Sequence, residues 1–289
     1  MAALRAFLRL TRPVFLLGGA LLYGLGAALS TDPIVWPNYA LGQAMVTAIQ
    51  LAAQYANEYF DVEADRQAGE RRTWLTGGSG VLAGGRLAPI TARRAAVFTS
   101  VVSLALAIAV GTISGWAALV GLLALAGSWL YSAPPMRLVA SRYGVAMTSV
   151  IVAVLTPVTG ALVQGSAPVD RVIVVVAPLF LLHNAMLIAF ERPDVPGDTA
   201  AGKLTLSVRL GPMKSAQLHA AFIGAALAAQ VLAIQPGPLS WVEGGWALGL
   251  APLGALQVGW FSRTSDTLLA TGGLGLFGGT VLCLLGGLR

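Results

Sequence analysis

The sequence predicts an all-α, polytopic membrane protein built as a bundle of nine transmembrane helices. Of its 289 residues 56% are hydrophobic and only 10% are charged, where soluble domains carry about 25% charged residues. Mean hydropathy is +0.77. Apolar stretches near the length of about 20 residues needed to cross a bilayer recur along the whole chain. A single membrane domain over 1–289 is expected, with halves 1–140 and 141–289 as a pseudo-repeat.

The first span, 13–30, follows Arg5, Arg9 and Arg12 and stops at Thr31-Asp32-Pro33. It is too long for a removable signal peptide and lacks a small-residue cleavage signal, so it reads as retained. The second, 38–60, runs out into acids. Ser114-Gly115 divides the third, 95–113, from the fourth, 116–132. The fifth, 143–164, stops at Gly165-Ser166-Ala167-Pro168, and the sixth, 172–191, meets a second acidic stretch. Gln235-Pro236-Gly237-Pro238 separates the seventh, 215–235, from the eighth, 241–260; the ninth is 267–287.

An odd number of spans can be tested against charge. With a cytoplasmic N-terminus, all 18 Lys and Arg except Arg171 and Arg289 fall on the cytoplasmic side, the bias expected of cytoplasmic loops. The net charge of +6 is thereby explained by topology, and nucleic acid is not needed as a partner. Trp36, Trp116, Trp241 and Trp246 fall near the outer boundaries as an interfacial belt. The lone Cys283 excludes an internal disulfide and reads as a packing residue. Glycine pairs such as Gly18-Gly19, Gly272-Gly273 and Gly286-Gly287 suit close helix approach in lipid. A multi-pass protein of the plasma membrane follows, with its active site on the cytoplasmic side and no obligate protein partner.

The acids carry the chemistry. Eight of the 12 Asp and Glu sit in two places, Glu58 to Glu70 after span two and Glu191 to Asp198 after span six. On one continuous helix Gln50, Gln54, Asn57, Asp61 and Asp65 fall within about 80° of one another. Two carboxylates a turn apart, with an amide before them, can share a hard cation that takes further oxygens from a phosphate. Ordinary solvated charge suffices for Glu63 and Glu70, but acids at the end of a span are costly unless paired or metal-bound. Asp194 and Asp198 repeat the spacing. Pro196 and Gly197 between them are poor helix residues, which places this pair on a loop or frayed turn. Two facing acid pairs suit two Mg²⁺ ions on a diphosphate leaving group.

Each acid pair is followed by a similar segment: Gly77-Gly78-Ser79-Gly80-Val81-Leu82 with Arg86-Leu87-Ala88-Pro89, and Gly202-Lys203-Leu204-Thr205-Leu206 with Arg209-Leu210-Gly211-Pro212. Glycine turns beside Arg and Lys offer N–H groups and positive charge to phosphate oxygens. Tyr131-Ser132-Ala133-Pro134-Pro135-Met136-Arg137 ends span four. Tyr131 is either an interfacial anchor or a pocket residue, and Arg137 can meet an anionic substrate. His183, two to three turns before Asp194, reads first as a buried structural histidine and second as a pocket residue.

Asn57-x₃-Asp61-x₃-Asp65, Asp194-x₃-Asp198 and nine spans together resemble the UbiA-type intramembrane prenyltransferase superfamily. The Gly77–Leu82, Tyr131–Pro135 and Gly202–Gly211 segments resemble its 1,4-dihydroxy-2-naphthoate prenyltransferase branch, of the menaquinone pathway. The resemblance implies a lipid-accessible central cavity and Mg²⁺-dependent transfer of a polyprenyl group from polyprenyl diphosphate to an aromatic acceptor. It implies metal binding and catalysis at Asp61, Asp65, Asp194 and Asp198. Substrate contacts are expected at Asn57, Gln54, Tyr131, Arg137, His183, Lys203 and above all Arg72. Phe190 departs from the family, which often has asparagine there. Rival readings are an intramembrane terpene cyclase using the same diphosphate site, a transporter, and a phosphatidyl-transferring enzyme.

Overall fold

The computed structural model describes residues 2–68, 75, 78–165, 167–235 and 237–288. Among the described residues all regular structure is helical, and 78–88 is a run of turns and bends. Two helices open the chain, α1 (Ala2–Leu10) and α2 (Pro13–Ala28), bent by 41° at a break where Arg12 takes a left-handed conformation (φ 44°). Pro13 then starts α2 where its missing N–H has no partner to lose. Next come α3 (Trp36–Phe60), the short α4 (Val62–Ala68), α5 (Pro89–Gly111) and α6 (Gly115–Ser132). The Ser114 hydroxyl accepts from the Ala117 N–H to cap α6, and Ala133-Pro134-Pro135 follows its end.

The fifth expected span is α7 (Gly144–Ser149), a wide π-helical stretch Val150–Leu155, and α8 (Thr156–Gln164). The wide turn lets Pro157 sit inside a continuous span, with the Thr156 hydroxyl donating to the Ile151 carbonyl at 3.1 Å. The second half contains α9 (Val169–Glu191), a 3₁₀ turn Arg192–Asp194, α10 (Val195–Ala200) and α11 (Leu206–Ile234), which kinks at Gly211 (φ 72°) before Pro212. It closes with α12 (Trp241–Leu248), α13 (Ala251–Trp260) and α14 (Asp266–Gly287).

Among the described residues, six helical segments are long and apolar enough to cross a membrane, or seven if the bent α1–α2 pair is one span. The expected count of nine is not reached on these criteria. Helix α3 carries Gln43, Gln50, Gln54, Asn57 and Glu58, and the eighth expected span is two short helices, α12 and α13.

Helices α3 and α5 pack together, as do α9 and α11 and α2 and α8, while α14 lies against α9 and α12. The largest buried cluster joins α2, α9, α11 and α14 through Leu22, Leu179, Met186, Ile223, Phe277 and Val281. Of the glycine pairs, Gly287 comes against the Glu243 carbonyl of α12, and two unpaired glycines come closer still to a neighbouring backbone. A side chain on Gly26 would strike the Pro157 carbonyl, and one on Gly160 the Tyr23 carbonyl, so α2 and α8 touch backbone to backbone. Trp36, Trp116, Trp241 and Trp246 are all exposed.

Candidate active site

Helix α3 ends at Phe60, one residue before the first acid of the motif. Asp61 is its C-cap (φ −96°, ψ 2°) and Asp65 sits on the separate helix α4. The expected continuous face from Gln50 to Asp65 is therefore broken at Asp61, although the Asp65 N–H still donates to the Asp61 carbonyl at 2.8 Å. Asn57 holds the break in place: its Nδ2 donates to Asp61 Oδ2 at 2.8 Å.

The second pair corrects its expectation too. Asp194 closes the 3₁₀ turn and Asp198 lies on α10, so the segment is helical. Pro196 falls in the first turn of α10, where its fixed φ fits and no N–H is needed. Helix α10 packs directly on α4. The two acid segments, far apart in sequence, are thus neighbours.

Lys203 joins them. Its Nζ lies 3.5 Å from Asp61 Oδ1 and 3.5 Å from Asp198 Oδ1, and Arg137 Nη2 lies 3.7 Å from the same Asp61 oxygen. Burial alone would lower the Lys203 pKa, but Asp61, Asp198 and Asp65 outweigh it and hold the ammonium above its ordinary value. Its loop is fixed by the Lys203 N–H on the Asp198 carbonyl at 2.8 Å and the Leu204 N–H on the Ala140 carbonyl at 2.9 Å.

A cavity of about 560 Å³ opens onto this cluster, within the roughly 300–1,000 Å³ usual for ligand pockets. Asn57, Asp61, Asp65, Asp194, Asp198 and Lys203 all line it. Gln54 and Tyr131 line it as well, while its walls carry Leu22, Ile49, Ile151, Met186 and Phe277 among other apolar side chains. His183 also lines the cavity, but it precedes Asp194 by eleven residues, about 16 Å of helical rise. It is buried, 3.0 Å from Ser149 Oγ through Nδ1, with its ring against Phe277, and does not join the acids. Arg72 lies outside the described residues.

Among the described residues, no three His, Cys, Asp or Glu side chains form a ready cage for a metal ion. The Lys203 ammonium stands between Asp61 and Asp198 instead. The donor set nevertheless fits hard divalent cations: carboxylate oxygens from two sides of one cavity, with Asp61 Oδ1 buried and without a hydrogen bond.

Three residues escape a reading by acid pairs. Glu58 accepts from both the N–H and the hydroxyl of Ser79, and Glu191 accepts from the Ser207 N–H at 2.9 Å. The signal was present as Glu-x₂-Asp-x₃-Asp, at 58–65 and again at 191–198. Arg12 lines the cavity, donates to the Leu75 carbonyl at 2.7 Å and lies over the Phe15 ring. Only its position before Pro13 marked it.

A family model, the UbiA prenyltransferase family, matches residues 16–271. The chain belongs to this family. As a UbiA protein it is a prenyltransferase, which retires the transporter and phosphatidyl-transfer readings. Two relatives are named 1,4-dihydroxy-2-naphthoate octaprenyltransferase. The one from Mycobacterium leprae is 30% identical over 206 residues, 69% of this chain and 67% of that protein. The one from Mycobacterium tuberculosis is 30% identical over 216 residues, 70% of this chain and 68% of that protein. The UbiA fold is matched by a UbiA homolog from Archaeoglobus fulgidus bound to GPP and Mg²⁺, with TM-score 0.72, 19% identity and coverage of 98% of this chain and 99% of that one. The apo structure of a UbiA homolog from Aeropyrum pernix K1 matches with TM-score 0.71, 19% identity and coverage of 93% and 97%.

Proposed function

We propose that this protein transfers a polyprenyl group from polyprenyl diphosphate to a hydroxylated aromatic acceptor, 1,4-dihydroxy-2-naphthoate or a related quinone precursor, with Mg²⁺. One observation carries the reading: a single cavity has four aspartates and a lysine at one end and apolar walls beyond them. That distribution suits a diphosphate head on a hydrocarbon tail. The acceptor class rests on the relatives' names, and Mg²⁺ also draws support from the homolog bound to GPP and Mg²⁺.

Asp61 and Asp65 on one side, and Asp194 and Asp198 on the other, are the residues that would hold Mg²⁺. Bound there, Mg²⁺ supplies positive charge that favours departure of the diphosphate. Lys203 and Arg137 add donors for phosphate oxygens. As the allylic C–O bond breaks, its electron pair leaves with the diphosphate. A ring carbon of the acceptor then donates a π pair to the allylic carbon and regains aromaticity by losing a proton or carbon dioxide. The apolar walls keep water from capturing the cation first. Tyr131, Asn57 and Gln54 line the cavity near its acidic end and are the candidates to orient the acceptor.

Nine spans follow if α1–α2, α3 and the α12–α13 pair each cross the bilayer beside the six long apolar segments. The Lys and Arg distribution then supports a cytoplasmic N-terminus and a cytoplasmic active site in the plasma membrane. The matching Glu-x₂-Asp-x₃-Asp patterns support a single domain of two pseudo-repeat halves. The deciding experiment incubates membranes holding the protein with labelled polyprenyl diphosphate, Mg²⁺ and a panel of hydroxylated aromatic acids. A prenylated aromatic lipid is expected; a labelled terpene formed equally well without any acceptor would overturn the transfer reading in favour of cyclisation.

A further inference from the structure

The lysine between the two acid segments occupies the place a cation needs. Lys203 Nζ is 3.5 Å from a carboxylate oxygen of each segment, and its side chain is only 12% exposed. Asp61 Oδ1 is buried beneath Lys203 and the more exposed Arg137. Arg137 reaches Asp61 alone, so among the described ion pairs Lys203 is the one that spans both segments. A divalent ion approaching Asp61 and Asp198 therefore meets a positive charge already seated there.

We propose that Lys203 is a resident counter-ion that must vacate the aspartates for Mg²⁺ to bind, and that the diphosphate draws it away, so that metal and diphosphate bind as one interdependent unit. This rests on the reading of the four aspartates as the metal and diphosphate site. The backbone need not move. Hydrogen bonds to the Asp198 and Ala140 carbonyls fix the loop on both sides of the lysine, while the four-carbon stem can swing its ammonium within the cavity it lines. Linkage makes the coupling reciprocal: whatever factor the diphosphate adds to metal affinity, the metal adds to diphosphate affinity.

The test is calorimetric titration of the full chain in nanodiscs, first with MgCl₂ alone and then with Mg²⁺ at fixed inorganic pyrophosphate. K203M should bind Mg²⁺ alone at least about tenfold more tightly than the unaltered protein, and pyrophosphate should tighten Mg²⁺ binding markedly in the unaltered protein but little in K203M. K203R, which keeps the charge, should behave as the unaltered protein, and K203Q gives the same reading as K203M where that variant does not purify. Equal or weaker Mg²⁺ binding by K203M and K203Q overturns the proposal. A separate arm isolates the underlying reading: undiminished Mg²⁺ binding in the D61N/D198N double variant overturns the metal site itself and the proposal with it. Loss of binding in that double variant, alongside unchanged K203M, overturns the coupling alone.

Discussion

Glu58 accepts two hydrogen bonds from Ser79, one from its backbone N–H at 2.5 Å and one from its hydroxyl at 2.8 Å. Both residues are buried. The carboxylate sits three residues before Asp61 and fastens the end of α3 to the loop that carries Ser79. Removing it in E58A leaves buried Ser79 donors unpaired, which should cost about 1–3 kcal/mol of stability and lower the thermal midpoint in detergent. E191A, which releases one N–H at Ser207, should cost less. Equal midpoints for E58A and the unaltered protein would show that the clamp is not holding the fold.

Asp61 and Asp198 are proposed to act on the metal diphosphate. D61N and D198N keep the side-chain shape and remove the charge, so each should lower Mg²⁺-dependent prenyl transfer by at least about 100-fold. Transfer to the aromatic acceptor in membranes, normalised to folded protein, measures this. Near-normal rates in both variants would sink their assignment.

Gly78 has φ +70°, and a side chain there would run into the Asp65 carboxylate. G78A should displace that carboxylate and lower transfer by more than about tenfold, through loss of positioning. The observation to make is whether activity falls further than the thermal midpoint does; a proportionate fall in both would assign Gly78 to folding alone.

For Lys203 the pKa is raised in the folded chain. A raised lysine contributes its attraction fully below its unfolded pKa and loses it only as pH climbs through the folded value. Between about pH 6 and 9 the ammonium is charged in both states. Protonation of the lysine therefore adds no slope over that range, while burial raises the facing Asp194 and Asp198 carboxyls, so the difference in thermal midpoint between K203M and the unaltered protein should grow as pH rises and they ionise. A difference that shrinks toward pH 9 would mean that the lysine titrates there.

Gly160 meets the Tyr23 carbonyl, whereas Gly224 has nothing within 4 Å of where a side chain would begin. G160A should push α2 and α8 apart at a cost of about 1–3 kcal/mol, while G224A should be neutral or slightly stabilising, since alanine is the better helix former. Paired unfolding measurements decide it.

Much of this arrangement was legible in the chain. Apolar runs and turn residues located the long helices α2, α3, α5, α6, α9 and α14 to within about six residues, because hydrophobic burial and proline chemistry are local signals, whereas α11 starts at Leu206, well before the expected 215, and the short α4 and α10 were not expected. The four aspartates stood out because acids at span ends are rare and expensive. Other features depend on contacts that no local pattern encodes. Asp61 ends α3 and leaves α4 lying against α10, while Asp194 to Asp198 are helical with Pro196 in the first turn of α10. Glu58 and Glu191 received no role from the chain alone, because their serine partners lie 21 and 16 residues onward. Gly26 and Gly160, isolated in sequence, make the tight crossing, since what matters is the residue opposite rather than the neighbour in the chain.

Charge in the cavity is confined to one end. An amphiphile moored there by its head would hold the adjoining carbon at one depth, however much tail runs along the apolar walls. Chains of different length would then share one reactive register, and any sorting by length would fall to the apolar walls, away from the aspartates.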